Sequence, residues 1–236
     1  EDVEKLEGVK TDRRFKPVGF AEVQDVQLHL FSDASRQGYS AVAHLLLEDV
    51  TGQVHCSFVM GKARLAPIRE ISIPRLELTA AVKSVKLSRV IRDELDLTVN
   101  KVTHWADSLS VLKCINNEKK RFRTFKSNLL KIIHDGSKPI EWRYVNREDN
   151  PADDGSKGLK LDALIQNDRW LTGPRFLWEG EEDWPKMIEV PCLQDDDPAV
   201  RKENQIYTTT TSSDVMERLI AYHSSWWKLK KALSWL

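Results

Sequence analysis

The chain has 236 residues, enough for one domain of ordinary size with a buried core, plus an extension. Its 36 Lys and Arg balance 36 Asp and Glu, so net charge points to neither a nucleic-acid nor a membrane partner, and any such partner must be argued from local patches. The three cysteines are scattered and form no CxxC pair, which argues against a disulfide framework and a thiolate zinc site; no apolar run approaches the ~20 residues that cross a bilayer.

Free thiols fit a reducing compartment. The opening Glu1-Asp2-Val3-Glu4-Lys5 has no apolar signal-peptide core and no initiator Met, and it reads as the start of a piece of something longer. Residues 1–25 are charged and weakly patterned, a lead-in segment. Val26 to Phe31 alternates and then turns fully apolar, as a strand entering a core does. After the turn at Ser35–Gly38, Tyr39 to Leu47 and Val54 to Met60 read as two further strands, joined by a hairpin loop at Glu48–Gly52. A basic loop (Lys62, Arg64, Arg69) leads to Pro74, which suits a helix start, and residues 75–95 space Leu78, Ala81, Val82 and Val85 helically. Leu97 to Trp105 gives a fourth strand, and Asp107-Ser108 suits the cap of a helix running through Asn116. Residues 122–134 form another amphipathic stretch, Ile140 to Val145 a fifth strand, and Pro151 opens a short helix or turn. A three-strand meander followed by alternating helices and strands implies an α/β fold, a mixed five-stranded sheet with helices on both faces.

Beyond about residue 160 the composition changes. Glu179 to Asp183 and Asp195-Asp196-Asp197 are acidic, and prolines recur at 174, 185, 191 and 198. Residues 161–213 therefore read as an extended or disordered acidic linker, an irregular C-terminal extension. Residues 214–236 regain a helical pattern with Trp226, Trp227 and Trp235, the start of an incomplete downstream region. The domain proper is expected over 26–160.

Four carboxylates carry the chemistry. Asp33 and Asp107 end apolar strands, Glu77 lies in the first turn of the long helix, and Asp153 follows a proline turn. Asp33 is expected on the central strand with Asp107 at the end of its neighbour, where side chains converge on one crevice. Glu77 would point across that crevice and Asp153 would approach from the last loop. At least one whole element separates each acid from the next, so only the fold can assemble them. Oxygen ligands without His or thiolate partners suit hard divalent cations, magnesium above all. Four carboxylates so close cannot all stay ionised without cations between them. Two Mg2+ ions roughly 3.5–4 Å apart, with Mn2+ as a substitute, would relieve the repulsion and support in-line displacement at phosphorus. The expected roles are Asp33 bridging both ions, Glu77 and Asp107 holding the leaving-group ion, and Asp153 holding the nucleophile-side ion. Alone, each acid has an ordinary reading: Asp107-Ser108 as a helix cap, Asp33 as a turn residue, and at least one of Asp153 and Asp154 as a solvated charge. His29, His44 and His134, scattered singly, and the eight tryptophans read as structural.

Phe31-Ser32-Asp33-Ala34-Ser35, Ile73-Pro74-Arg75-Leu76-Glu77-Leu78, Trp105-Ala106-Asp107-Ser108 and Asn150-Pro151-Ala152-Asp153, in this order, resemble the ribonuclease H domain of reverse-transcribing elements. They are most similar to the BEL/Pao class of long-terminal-repeat retrotransposon polyproteins. Gly61 to Pro67, Arg121 to Phe125 and Trp142 to Val145 match as well, so the resemblance covers about residues 26–158. The tail resembles the connector toward an integrase. The resemblance implies a ribonuclease-H-like fold and magnesium-dependent hydrolysis of the RNA strand of RNA–DNA hybrids, with Asp33, Glu77, Asp107 and Asp153 as catalytic and metal-binding residues. It also implies adjoining reverse transcriptase and integrase regions, no membrane partner, and an intracellular location in a cytoplasmic particle or the nucleus. Two departures stand out. Many members carry a His in the loop before the last acid, but Val145 to Asn150 has none, which leaves Arg147 or Glu148 to substitute. Asp154-Gly155 replaces the usual small apolar residues and is expected to compete for metal or weaken the last helix.

Substrate contact is expected from Lys119, Lys120, Arg121, Arg123 and Lys126, the centre of a basic strip over 113–131 that also holds Phe122 and Phe125. Such a strip suits phosphate contacts that track a backbone without reading bases; on charge alone it equally suits a solvated helix face. The alternative to a nuclease is a weak or inactive nucleic-acid-binding module, such as a host-adopted one. An integrase-type strand transferase is disfavoured because that class places its glutamate last, whereas Glu77 comes second. No Tyr-x-Asp-Asp motif is present to support DNA synthesis.

Overall fold

The computed structural model describes residues 14–117, 122–159, 163, 169–188 and 190. These fall within the first of two compact units, Glu1–Arg201; the second, Lys202–Leu236, lies outside the described residues, and with it the helical tail expected over 214–236. Five strands, β1 (Val23–Ala34), β2 (Gly38–Asp49), β3 (Val54–Leu65), β4 (Lys101–Ala106) and β5 (Trp142–Tyr144), form one sheet in the order β3-β2-β1-β4-β5. The first three pair antiparallel, while β4 runs parallel to β1 and β5 parallel to β4. The expected meander and mixed sheet are thus present, with β1 at the centre.

β1 is buried from Val26 to Ala34, and its alternation divides two cores. Leu28 and Leu30 pack with Ala41, Ala43, Leu45 and Leu47 of β2 and with Leu87 and Ile91 of the long helix α1 (Ile73–Glu94). Each such leucine contributes on the order of 2 kcal/mol of burial. The other face carries His29 and Phe31, which stack against Trp105 of β4. Because both faces are covered, the strand reads as a nearly continuous apolar run. On the α1 side, Leu78, Ala81, Val82 and Val85 also meet α2 (Leu109–Ile115) and α3 (Thr124–Gly136). Gly136 lets α1 and α3 approach, since an added Cβ there would clash with Val85 Cγ1.

The opposite face corrects one expectation. Instead of an extended linker after residue 160, the described part of that segment folds onto the sheet through α5 (Arg169–Thr172) and 3₁₀ turns at Arg175–Trp178 and Glu181–Asp183. Phe176, Leu177 and Trp184 are buried with Phe31, Val42, Trp105 and Ala152 of the short helix α4 (Ala152–Lys157). A few large apolar side chains outweigh an acidic background once a bare sheet face is available to them. Glu181, part of that acidic run, is paired with Lys101 and Arg143. Among the described residues no helix is long and apolar enough to cross a membrane.

Candidate active site

The parallel register Ser32↔Ala106 places Asp33 and Asp107 side by side, each one residue beyond the paired ends of β1 and β4. Ser108, rather than Asp107, caps α2 by accepting a hydrogen bond from the Val111 amide, so the cap does not engage the Asp107 carboxylate. The Ser108 hydroxyl also donates to Glu77 Oε2 at 2.6 Å, fixing the carboxylate that α1 delivers from the neighbouring element.

The last acid is brought in by a set of stitches between α4 and the ends of β1 and β2. Fully buried Asn150 donates to the Ser32 carbonyl at 3.2 Å and accepts from the Ala152 amide at 3.1 Å. The hydroxyls of Ser35 and Ser40 donate to the carbonyls of Ser156 and Ala152 at 2.7 and 2.5 Å. Ser156 in turn donates to Asp33 Oδ2. Asp153 therefore arrives beside Asp33, with Arg147 Nε at 3.0 Å and Lys157 Nζ at 2.5 Å from its oxygens.

The electrostatics report the convergence directly. Asp107 is pushed up to about 7, by burial first and then by repulsion from Asp33, Glu77 and Asp153. Asp33 is raised by burial and by Asp153, with the Ser156 hydrogen bond opposing. Glu77 is raised by burial and by Asp33, opposed by Ser108. Like charges in a half-dry crevice favour protonation, and a cation placed among them would relieve the repulsion.

Among the described residues no three His, Cys, Asp or Glu side chains stand ready to enclose a metal ion. Each acid other than Asp107 has a side-chain partner instead: Ser156 for Asp33, Ser108 for Glu77, and Arg147 and Lys157 for Asp153. The donor set still fits a hard divalent cation, because it is all carboxylate and its mutual repulsion is what such an ion relieves. Asp153 would exchange part of its contact with Arg147 and Lys157 for the ion.

Two expectations about the last helix are corrected. Asp153 and Asp154 are both buried, neither being a solvated charge. Asp154 does not compete for the crevice: Arg169 grips it with Nε to Oδ2 at 2.7 Å and a second contact to Oδ1, and the same guanidinium donates to the Glu148 carbonyl. Arg169 thereby ties the loop before Asp153, α4 and α5 together, and it stands 4.0 Å from Asp153. Gly155 is needed rather than weakening: a Cβ there would lie 2.9 Å from Ser40 and 2.9 Å from Trp170. Lys157, four residues after Asp153, could have been found from helical spacing. Arg169 carried no such signal, since its partners lie in other elements.

Of the basic strip, Lys119, Lys120 and Arg121 lie outside the described residues. Arg123 is exposed just before α3, and Lys126 donates to Cys114 Sγ at 3.4 Å while its Nζ lies 5.6 Å from the Phe122 ring. His29, His44 and His104 are buried within the strands. His29 and His104 are held down to about 3 and His44 to about 4, chiefly by burial, so all three stay neutral. His29 accepts from the Trp105 indole, and His44 Nε2 donates to the Trp170 carbonyl.

Residues 1–108 match the family model described as the Pao retrotransposon-like RNaseH-like domain. The matched part is similar to that family and takes in β1 to β4. The match reaches back to residue 1, into the segment read as a lead-in. Comparison with curated proteins finds no match. Solved structures similar to the chain include the N-terminal ribonuclease H domain of Rv2228c from Mycobacterium tuberculosis, at 14% identity and TM-score 0.38, covering 60% of this chain and 98% of that one. LC11-RNase H1 in complex with an RNA/DNA hybrid is similar at 16% identity and TM-score 0.38, over 59% of this chain and 99% of that one. RNase H1 of the archaeon Halobacterium salinarum follows at 12% identity and TM-score 0.34, over 61% and 100%.

Proposed function

We propose that the chain carries a Pao-type ribonuclease H domain, a magnesium-dependent endonuclease that hydrolyses the RNA strand of an RNA–DNA hybrid within a retrotransposon polyprotein. One observation carries the reading: the Asp107 carboxylate, beside Asp33 at the ends of two parallel strands, is pushed up to about 7 by burial and by three other acids from separate elements. A purely structural arrangement gains nothing from that repulsion.

Asp33, Glu77, Asp107 and Asp153 would hold two Mg2+ ions, with Mn2+ as a substitute, and such ions supply Lewis-acid activation of a water and neutralise charge at the phosphodiester. Asp33 is central to the ligand set, with Ser156 fixing one of its oxygens. Ser108 fixes Glu77, which would hold one ion together with Asp107. Asp153 serves the nucleophile side, its position set by Asn150 and the Ser40 hydroxyl. Exposed Arg147 lies where many relatives place a His; it offers a positive charge that Asp153, Asp33 and Asp107 all feel. It can contact phosphate but, being permanently charged, it cannot shuttle a proton near neutral pH. Turnover is therefore expected to be slower than in enzymes with a loop His. Phosphate contacts from Lys119, Lys120, Arg121, Arg123 and Lys126 would hold the duplex without reading its sequence.

The test is cleavage of a hybrid labelled on either strand, in Mg2+, by the chain and by Asp33→Asn. Loss of RNA-strand products in the variant is expected, with the DNA strand intact throughout; equal products from both proteins would rule out the nuclease assignment.

A further inference from the structure

A second concentration of positive charge lies away from the basic strip, on the outer edge of the sheet. Lys62 and Arg64, two residues apart on edge strand β3, are both exposed. Arg64 is paired with Tyr39 of β2, and the Tyr39 ring lies 5.6 Å beneath Lys83 Nζ of α1. Lys86 follows Lys83 by three residues, on the adjacent turn of the same helix face. The other three cations bear on Lys83, which is lowered by partial burial and by repulsion from Arg64, Lys62 and Lys86. Among the described residues none of the four makes an ion pair with a carboxylate.

Edge strands do carry Lys to discourage strand addition, but one or two charges achieve that. Edge protection does not account for Lys83 and Lys86, which come from a helix and add repulsion to the same patch. Uncompensated charge of this kind is stabilised by a polyanion that replaces its diffuse counterions. The position also fits the proposed site. Tyr39, the partner of Arg64, is itself paired with Ala34, the neighbour of Asp33, so Arg64 lies two strand spacings, roughly 10 Å, from the end of β1. That distance spans about three nucleotide steps of a bound strand.

We propose that Lys62, Arg64, Lys83 and Lys86 form a second phosphodiester-backbone contact surface, which grips the nucleic acid on the β3 side of the crevice a few nucleotides from the reacting phosphate. This deepens the reading above by naming a further segment of substrate held by the same domain. Contact is made to phosphates alone, so it carries no sequence preference.

The experiment measures binding without cleavage. A fluorescent 20-base-pair RNA–DNA hybrid is titrated with the full chain in EDTA between 50 and 200 mM salt, and compared with Lys62→Gln/Arg64→Gln and Lys83→Gln/Lys86→Gln. All four side chains lie on the surface or near it, and circular dichroism checks that each variant is folded. Each double variant is expected to weaken binding at least severalfold at 50 mM salt and to flatten the salt dependence by one to two phosphate contacts, equally for two unrelated sequences. Unchanged affinity and slope in both folded variants overturns the surface and leaves edge protection as the role of β3. Absence of any binding by the unaltered chain overturns it as well. Patch-dependent binding without Asp33-dependent cleavage keeps the surface and removes the nuclease; the converse keeps the nuclease and removes the surface.

Discussion

The crowding of acids around Asp107 has a thermodynamic consequence that Asp107→Asn makes measurable. In the folded chain this carboxyl holds its proton up to about 7, against an ordinary 3.8. A folded-state value above the unfolded one favours the fold at low pH, where the group is protonated in both states or only in the folded one. That advantage is lost as pH rises through about 7. The gap corresponds to roughly 4 kcal/mol as an upper bound, and partial exposure of the group brings the expectation to about 2–3 kcal/mol. Without divalent cations at pH 8, the asparagine variant should therefore melt above the parent by about 4–12 °C, while below pH 4 the two should coincide. Comparing variant with parent cancels the opposite contribution of the buried neutral histidines, which stabilise the fold as pH rises toward 6.5. Added Mg2+ should raise the melting temperature of the parent at pH 8 and do less for the variant. The assay is thermal melting followed by circular dichroism across pH 4–8, with EDTA or Mg2+. A variant that melts below its parent at pH 8 in EDTA would refute the argument that Asp107 stands in a repulsive field.

Three further outcomes follow from the same contacts. Arg169→Ala leaves buried Asp154 without its guanidinium and should cost roughly 3 kcal/mol in chemical denaturation, with faster proteolytic cleavage in 169–184; a change under 0.5 kcal/mol would count against the clasp. Gly155→Ala forces a methyl against Ser40 and Trp170 and should destabilise by about 1–3 kcal/mol while lowering hybrid cleavage, whereas Gly52→Ala, which meets no neighbour but must hold a positive φ, should affect stability alone. Arg147→Ala removes a cation from beside Asp153, and half-maximal cleavage should then require severalfold less Mg2+; a higher requirement would show that Arg147 assists the ions rather than competing with them.

Much of the sheet was legible because its signals are local. β1 and β2 alternate between two covered faces, Pro74 sets the start of α1, and the hairpin at Gly52 carries its turn chemistry. Strand ends were less legible. β1 to β3 extend beyond their apolar stretches because ladder pairing continues through polar residues such as Ser32, Glu48 and Lys62. The fifth strand shrinks to Trp142–Tyr144 because Pro139 starts a 3₁₀ turn that uses the residues before it. The four acids could be named from their contexts, yet the groups that aim them could not. Ser156 and Asn150 act on β1 across more than a hundred residues of sequence, and no periodicity encodes such a contact. The segment 169–184 misled for a related reason: composition averages over a stretch, whereas three residues, Phe176, Leu177 and Trp184, decide whether it docks.

Manganese binding, counted by electron paramagnetic resonance with a hybrid duplex present, bears most directly on whether the acids form one cation centre. Two bound ions per chain are expected for the parent, with binding lost or sharply weakened in Asp33→Asn and in Asp107→Asn. Manganese occupancy that is the same in the parent and both variants would contradict the account, because the four carboxylates would then share a crevice without sharing cations.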